Sequence, residues 1–339
     1  MTTRVRKIMK YTSATLGVLV LAAAATVGVL FYLLTARVEG AWLETPTARV
    51  HYTDQGAGEP VVLIHGVGAN ADLNWRRNGV IARLRDDFRV IAYDVRGHGL
   101  SDKPHDPAAY GAELIADVGR LMDHLEIERA HIAGYSLGGF IALAFATQYP
   151  DRVRSVAYCA SGWVDPTLRV DDVSSPYRMP PAAAIERARQ LARATVAHAP
   201  ASPAAPRLAL TALPVGAGLP VGAGLPVNTM LPGASRTAWL FEPFRDWVGD
   251  NLVDADALRA LKDGYEALVV TEEALAAHRA PAICFIGTRD GLLPYALALQ
   301  EQLPDIEFVV MEGANHITTA MRRDFRQRLH AFLLANRAG

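Results

Sequence analysis

The sequence predicts a doubly wound, mostly parallel α/β sheet, with a helical segment inserted late in the sheet and one apolar helix ahead of it. Three observations lead there. From residue 49 onward, short apolar runs alternate with helical patterns. Runs such as VVLIH and VIAYD are apolar at nearly every position, which suits parallel strands covered by helices on both faces. The alternation breaks once, over about 120 residues between Ser161 and Ala280, where no parallel strand is legible.

Composition narrows the function classes. The 339 residues are 51% hydrophobic and 20% charged, enough to bury a large core and too apolar for a disordered chain. Lys plus Arg number 34 against 35 Asp plus Glu, a net charge of -1 that provides no field for a nucleic-acid backbone. The two cysteines, Cys159 and Cys284, exclude a disulfide scaffold and have no zinc-ligand spacing. Each falls in a predicted strand, so buried free thiols are expected.

The first element is the apolar helix. Tyr11 to Ala36 contains no charge and no proline, and these 26 residues span roughly 39 Å as a helix, enough to cross a ~30 Å hydrocarbon core. Arg4, Arg6, Lys7 and Lys10 precede it. The positive-inside bias then places residues 1–37 as a cytoplasmic N-terminus and single-pass anchor, with the remainder across the membrane. A cleaved signal peptide is the competing reading, disfavoured by the length of the run and the poor small-x-small site at Leu34-Thr35-Ala36. Residues 38–48 read as a linker.

Residues 49–162 form the first part of the α/β core. Its strand candidates are Arg49–Thr53, Pro60–Ile64, Arg89–Tyr93, His131–Gly134 and Ser155–Ala160, with helical patterns at Val80–Leu84, Glu113–Leu125 and Gly138–Gln148. Residues 163–280 read as a helical cap, with helices over Pro181–His198 and Asp254–Leu268. Within it LPVGAG occurs twice in tandem from Leu213, too short and too rich in Gly and Pro to bury a core, hence a loop. Trp239, Leu240, Phe241, Phe244 and Trp247 form an aromatic cluster, read either as the core of the cap or as the lining of an apolar substrate pocket. Residues 281–339 close the core, with strands Ala282–Ile286 and Glu307–Met311 and helices Tyr295–Leu303 and Asp324–Leu334.

The strongest chemical signal is Gly134-Tyr135-Ser136-Leu137-Gly138-Gly139, between the strand HIAG and the helix GGFIALAFATQY. A serine on a tight strand-to-helix turn needs small neighbours, and the turn lifts its hydroxyl to the positive end of the following helix. Other motifs also follow strands: His65-Gly66-Val67-Gly68, then Asp94-Val95-Arg96-Gly97-His98-Gly99-Leu100-Ser101, Gly287-Thr288-Arg289-Asp290 and Gly313-Ala314-Asn315-His316. In these motifs and their order the chain resembles the α/β-hydrolase superfamily from Arg49 to Ala335. The resemblance implies Ser136 as nucleophile, Asp290 as acid and His316 as base, in the Ser, Asp, His order of this fold. It implies an oxyanion hole from the backbone N–H groups of Val67 and Leu137.

Each assignment has a rival. Ser136 also fits a turn serine in a member that has lost turnover, and Asp290 fits a helix cap. Asp165 is the alternative acid, because some members of the superfamily carry it after the preceding strand. His65 and His98 read as loop braces, and Tyr135, Trp239 and Phe244 as pocket residues. No GxGxxG, P-loop or paired-histidine metal motif is legible, so no cofactor or metal is expected. Relatives that displace halide or open epoxides carry aspartate at the elbow, unlike this chain. An anchor followed by a capped hydrolase resembles membrane-bound monoacylglycerol lipases, and implies an esterase acting on lipophilic esters. Carbon–carbon bond hydrolases share the triad, though their usual G-N-S-M-G-G elbow is replaced here at Tyr135 and Leu137. Serine haloperoxidase-like enzymes and a non-catalytic anchored scaffold are the remaining alternatives.

Overall fold

The computed structural model describes residues 40–166, 176–198 and 254–338. The apolar segment 11–36, the LPVGAG repeat, and the aromatic cluster with Trp239 and Phe244 lie outside the described residues. Among the described residues no helix is long and apolar enough to cross a membrane.

Eight strands form one sheet: β1 (Ala41–Glu44), β2 (Arg49–Gln55), β3 (Glu59–Ile64), β4 (Phe88–Tyr93), β5 (Ala130–Tyr135), β6 (Val153–Cys159), β7 (Ala282–Gly287) and β8 (Glu307–Met311). Their spatial order is β1-β2-β4-β3-β5-β6-β7-β8. From β4 to β8 every pair is parallel, while β2 runs antiparallel to both β4 and β1. The two-sided apolar runs have the burial they predict. Val61 and Leu63 enter the core on one face of the sheet, Val62 and Ile64 the core on the other, and none of the four is exposed.

Strand β1 corrects the expected linker at 38–48. Four residues with one inward side chain, Leu43, are too short a pattern to read as a strand, and the pairing with β2 decides it. Trp42 on the other face is half exposed and lies under the Arg49 guanidinium, 5.0 Å from the ring centroid.

The helices are α1 (Val80–Leu84), α2 (Ala112–His124), α3 (Leu137–Gln148), α4 (Ala182–His198), α5 (Ala255–Asp263), α6 (Glu272–Ala276), α7 (Leu293–Gln302), α8 (Thr318–Met321) and α9 (Arg323–Ala335). Helix α3 is buried on almost every side, so its run GGFIALAFA shows no amphipathic stripe. The expected helix over 254–268 ends at Asp263 and continues as a 3₁₀ turn, Tyr265–Leu268. A π-helical turn, Asp72–Arg76, went unread because it has no apolar period; it buries Trp75 completely.

Among the described residues between β6 and β7 there is no strand. Helix α4 is tied to the core by Arg187–Glu301 at 2.6 Å and Arg189–Glu312 at 2.7 Å. Cys159 and Cys284 are buried and free. Cys159 pairs with Phe285 and Cys284 with Tyr158, so the two thiols lie on opposite faces of the sheet.

The loops after β3 and β5 leave the same edge of the sheet. Strand β3 lies between β4 and β5, and the chain passes from one side of it to the other. Open parallel sheets form ligand crevices at such a switch point, outside the carboxyl ends of the strands.

Candidate active site

Ser136 ends β5 and starts α3 with φ +53° and ψ −116°. That conformation is rare for a residue with a Cβ and costs of order 1–3 kcal/mol. The surroundings impose it. The Ser136 N–H donates to the Cys159 carbonyl at 2.8 Å, and a Cβ at Gly138 would strike the Ile64 carbonyl. Strand β3 and helix α3 can therefore approach this closely only with glycine at 138.

The structure brings the three expected triad residues together. Ser136 Oγ lies 2.9 Å from His316 Nε2. His316 Nδ1 lies 3.0 and 3.1 Å from the two oxygens of Asp290. Asp290 has no solvent exposure, and its Oδ1 also accepts the Leu292 N–H at 3.0 Å. With Asp290 as an acceptor, Nδ1 carries the imidazole proton, which leaves the Nε2 lone pair for the serine hydroxyl. Asp165, the alternative acid, follows β6; the carboxylate at His316 is Asp290.

The base loop is wired from within. Asn315 Oδ1 accepts the Ile317 and Thr318 N–H groups at 3.1 and 2.9 Å, and the Thr319 hydroxyl donates to the Asn315 carbonyl at 2.9 Å.

The two expected oxyanion donors flank Ser136. Leu137 is the first residue of α3, where a backbone N–H has no partner within the helix. Val67 follows Gly66, at which a Cβ would sit only 2.9 Å from the Ser136 Cβ. Asn74, in the π-helical turn, accepts the Gly66 N–H at 2.9 Å and fixes the loop.

His65 and His98 are braces, as the sequence suggests. The Val95 N–H donates to His65 Nε2 at 2.9 Å, so Nδ1 holds the proton and donates to the Gly66 carbonyl at 2.8 Å. Burial lowers the His65 pKa and keeps the ring neutral. His98, also buried, is held down to about 3 by desolvation and by His65, whose ring centroid is 5.3 Å away. Asp94 ties the same loops by accepting the Ala71 and Leu100 N–H groups, both at 2.9 Å. Burial raises its pKa, but His51, His65 and those N–H groups outweigh it, and the carboxyl sits below its usual range.

Tyr135 differs from the expectation of a pocket residue. It is the last residue of a strand buried at every position, and its side chain goes into the core. Its hydroxyl donates to the His316 carbonyl at 2.5 Å. Trp239 and Phe244, the other expected pocket residues, lie outside the described residues. No sequence signal points to Tyr177, whose ring meets the His316 imidazole edge-on with centroids 5.8 Å apart.

Comparison with known proteins agrees with this fold. The family described as alpha/beta hydrolase fold matches residues 59–202. Haloalkane dehalogenase 2 of Mycobacterium tuberculosis H37Rv is 34% identical over 144 residues, 42% of this chain and 49% of that protein. The 2-hydroxy-6-oxo-2,4-heptadienoate hydrolase of Pseudomonas putida F1 is 44% identical over 104 residues, 30% of this chain and 37% of that protein. The matches thus span half or less of these curated relatives. Among solved structures, the meta-cleavage product hydrolase of Pseudomonas fluorescens IP01 superposes with a TM-score of 0.59 at 21% identity. That superposition covers 88% of this chain and 98% of the other, and speaks to the fold alone.

Proposed function

We propose that this chain, which the alpha/beta hydrolase fold family matches over residues 59–202, is a serine hydrolase of that superfamily that cleaves carboxylic esters through an acyl-enzyme, with lipophilic esters as its substrates. The observation that carries the proposal is the continuous hydrogen-bonded relay from Asp290 through His316 to Ser136. Serine is a weak nucleophile until a base removes its proton, and His316 Nε2 is within reach to do so. As Oγ attacks the ester carbonyl, the Val67 and Leu137 N–H groups receive the oxyanion, at about 3 kcal/mol per donor. The imidazolium stays paired with Asp290 and returns its proton to the leaving alcohol. Water then repeats the sequence on the acyl-serine.

Lipophilic substrates are supported by apolar side chains left in solvent beside these groups. Val67 is 40% exposed, Ile317 next to the base is 58% exposed, and Tyr177 on the imidazole is 72% exposed. We further propose that residues 11–36 hold the enzyme in a membrane, with the hydrolase domain on the extracytoplasmic side. Carbonate-resistant, detergent-sensitive membrane association and protease sensitivity from outside the cytoplasm are expected; recovery in the soluble fraction contradicts it.

A second reading, carbon–carbon bond hydrolysis, is favoured by the 44% identity to the heptadienoate hydrolase. Dehalogenation, the activity for which the mycobacterial relative is named, conflicts with Ser136. Displacing halide with a serine hydroxyl leaves an alkyl ether, which has no carbonyl for water to attack.

The test is hydrolysis of p-nitrophenyl esters from acetate to palmitate by the full chain in detergent, beside a 2-hydroxy-6-oxo-dienoate, with Ser136→Ala as the blank. Serine-dependent ester turnover that peaks at medium or long acyl chains is the expected result. Turnover of the dienoate alone selects the second reading, and no serine-dependent turnover from folded protein overturns both.

A further inference from the structure

The Tyr135 side chain connects every part of the site while facing away from the substrate. Its hydroxyl donates to the backbone carbonyl of His316 at 2.5 Å. The backbone of Ala320 and the side chain of Thr319 lie near the same hydroxyl. The phenol therefore holds the backbone at residue 316, just ahead of the point where the base loop turns into α8.

The ring does the rest. It meets the buried Trp75 edge-on, with centroids 6.1 Å apart and an interplanar angle of 84°. Trp75 shares its π-helical turn with Asn74, which holds the Gly66 N–H of the oxyanion loop. The Tyr135 ring also lies 5.8 Å from the His316 imidazole, centroid to centroid. Its backbone leads directly into Ser136. Nucleophile, base and oxyanion loop are thus fastened to one side chain. Burial pushes the phenol pKa far above its ordinary value, so the hydroxyl stays a proton donor.

We propose that Tyr135 is a positioning residue whose hydroxyl, by holding the His316 backbone, sets the Nε2–Oγ distance on which activation of Ser136 depends. This rests on the serine-hydrolase reading. Without the hydroxyl, the His316 carbonyl loses its donor and the base loop can shift, displacing the imidazole. Shifts of about 1 Å at a reacting centre cost on the order of 100-fold.

The test is the second-order rate constant for labelling of Ser136 by a fluorophosphonate, on the full chain in detergent, with the labelled fraction read at the end point. Wild type, Tyr135→Phe and Tyr135→p-aminophenylalanine are compared, and folding is checked by circular dichroism. In Tyr135→Phe the rate constant and kcat are expected to fall together by about 10- to 100-fold, with KM and the end-point fraction unchanged. The amino variant, which keeps an N–H donor at the same place, should recover most of the rate. A residue that only stabilised the fold would lower the end-point fraction and leave the rate constant of the surviving molecules intact, which overturns the proposal. A wild-type rate in Tyr135→Phe, or a folded amino variant as slow as Tyr135→Phe, overturns it too. If Tyr135→Phe does not fold, the amino variant decides alone: a rate near wild type upholds the proposal, and a 10-fold loss in folded protein refutes it. Absence of labelling in wild type instead refutes the serine-hydrolase reading itself.

Discussion

Both carboxylate oxygens of Asp290 face a single nitrogen, His316 Nδ1, at 3.0 and 3.1 Å. A buried acceptor pair on one side of the ring leaves one tautomer for the neutral imidazole, the one that bares Nε2 to Ser136. An amide in place of that carboxylate can donate to Nδ1 and select the other tautomer. Asp290→Asn is therefore expected to lower kcat by about 10⁴-fold with the fold intact. Asp165→Asn should leave kcat within about twofold, since the relay does not pass through it. Steady-state kinetics on both variants checks this.

The backbone at Ser136, with φ +53°, is a cost to stability that the nucleophile imposes. Glycine adopts this conformation freely and alanine does not. Ser136→Gly should therefore unfold at higher denaturant than Ser136→Ala, by about 1 kcal/mol, although both are inactive. Equal midpoints for the two variants would contradict a strained elbow.

Arg96 and Asp117 form a fully buried pair, with guanidinium–carboxylate distances of 2.6 and 2.7 Å. Arg96 also donates to the Ala109 carbonyl and the Thr47 hydroxyl, and so ties the turn between β1 and β2 to α2. Removing one partner strands a buried charge, so Arg96→Met should cost about 3 kcal/mol in urea unfolding, at the low end because Arg120 also reaches Asp117. Adding Asp117→Leu should recover part of that loss.

Three histidines, two buried and one half-buried, predict acid sensitivity on the alkaline side of ordinary carboxylate titration. Desolvation lowers His98 to about 3 and both His131 and His278 to about 4. In the unfolded chain each takes a proton near 6.5, whereas the folded chain refuses it until pH 4 or below. Their contribution is complete above pH 6.5 and declines as pH falls toward 4, by up to about 1.4 kcal/mol per pH unit for each proton. Urea midpoints measured from pH 8 to 4.5 should show this decline, and His278→Gln should flatten it.

Much of the fold was legible because its strands are buried on both faces, and a run such as VVLIH has few other places to go. Seven of the strands follow from such runs, and β1 does not, since only Leu43 points inward and the partner strand supplies the rest. The triad was legible as motifs after strands, Asp290 included, though only the resemblance set Asp290 apart from Asp165; the structure adds which loop meets His316 in space. Tyr135 was misplaced for a physical reason. Its neighbour Ser136 faces the substrate, yet side chains alternate along a strand, and the residue before the nucleophile closes a fully buried strand. That alternation was the available signal. Nothing in the sequence linked its hydroxyl to the His316 carbonyl, a contact between residues 181 positions apart.

In the proposed mechanism Ser136, activated by His316, carries the acyl group. The most direct measurement is acid-quenched reaction of the full chain with a p-nitrophenyl ester, followed by peptide mass mapping. The acyl mass is expected on the peptide that contains Ser136, formed in a burst with one equivalent of nitrophenol, and absent from Ser136→Ala and His316→Ala. Ester turnover with the acyl group on another residue, or undiminished in Ser136→Ala, would contradict the account.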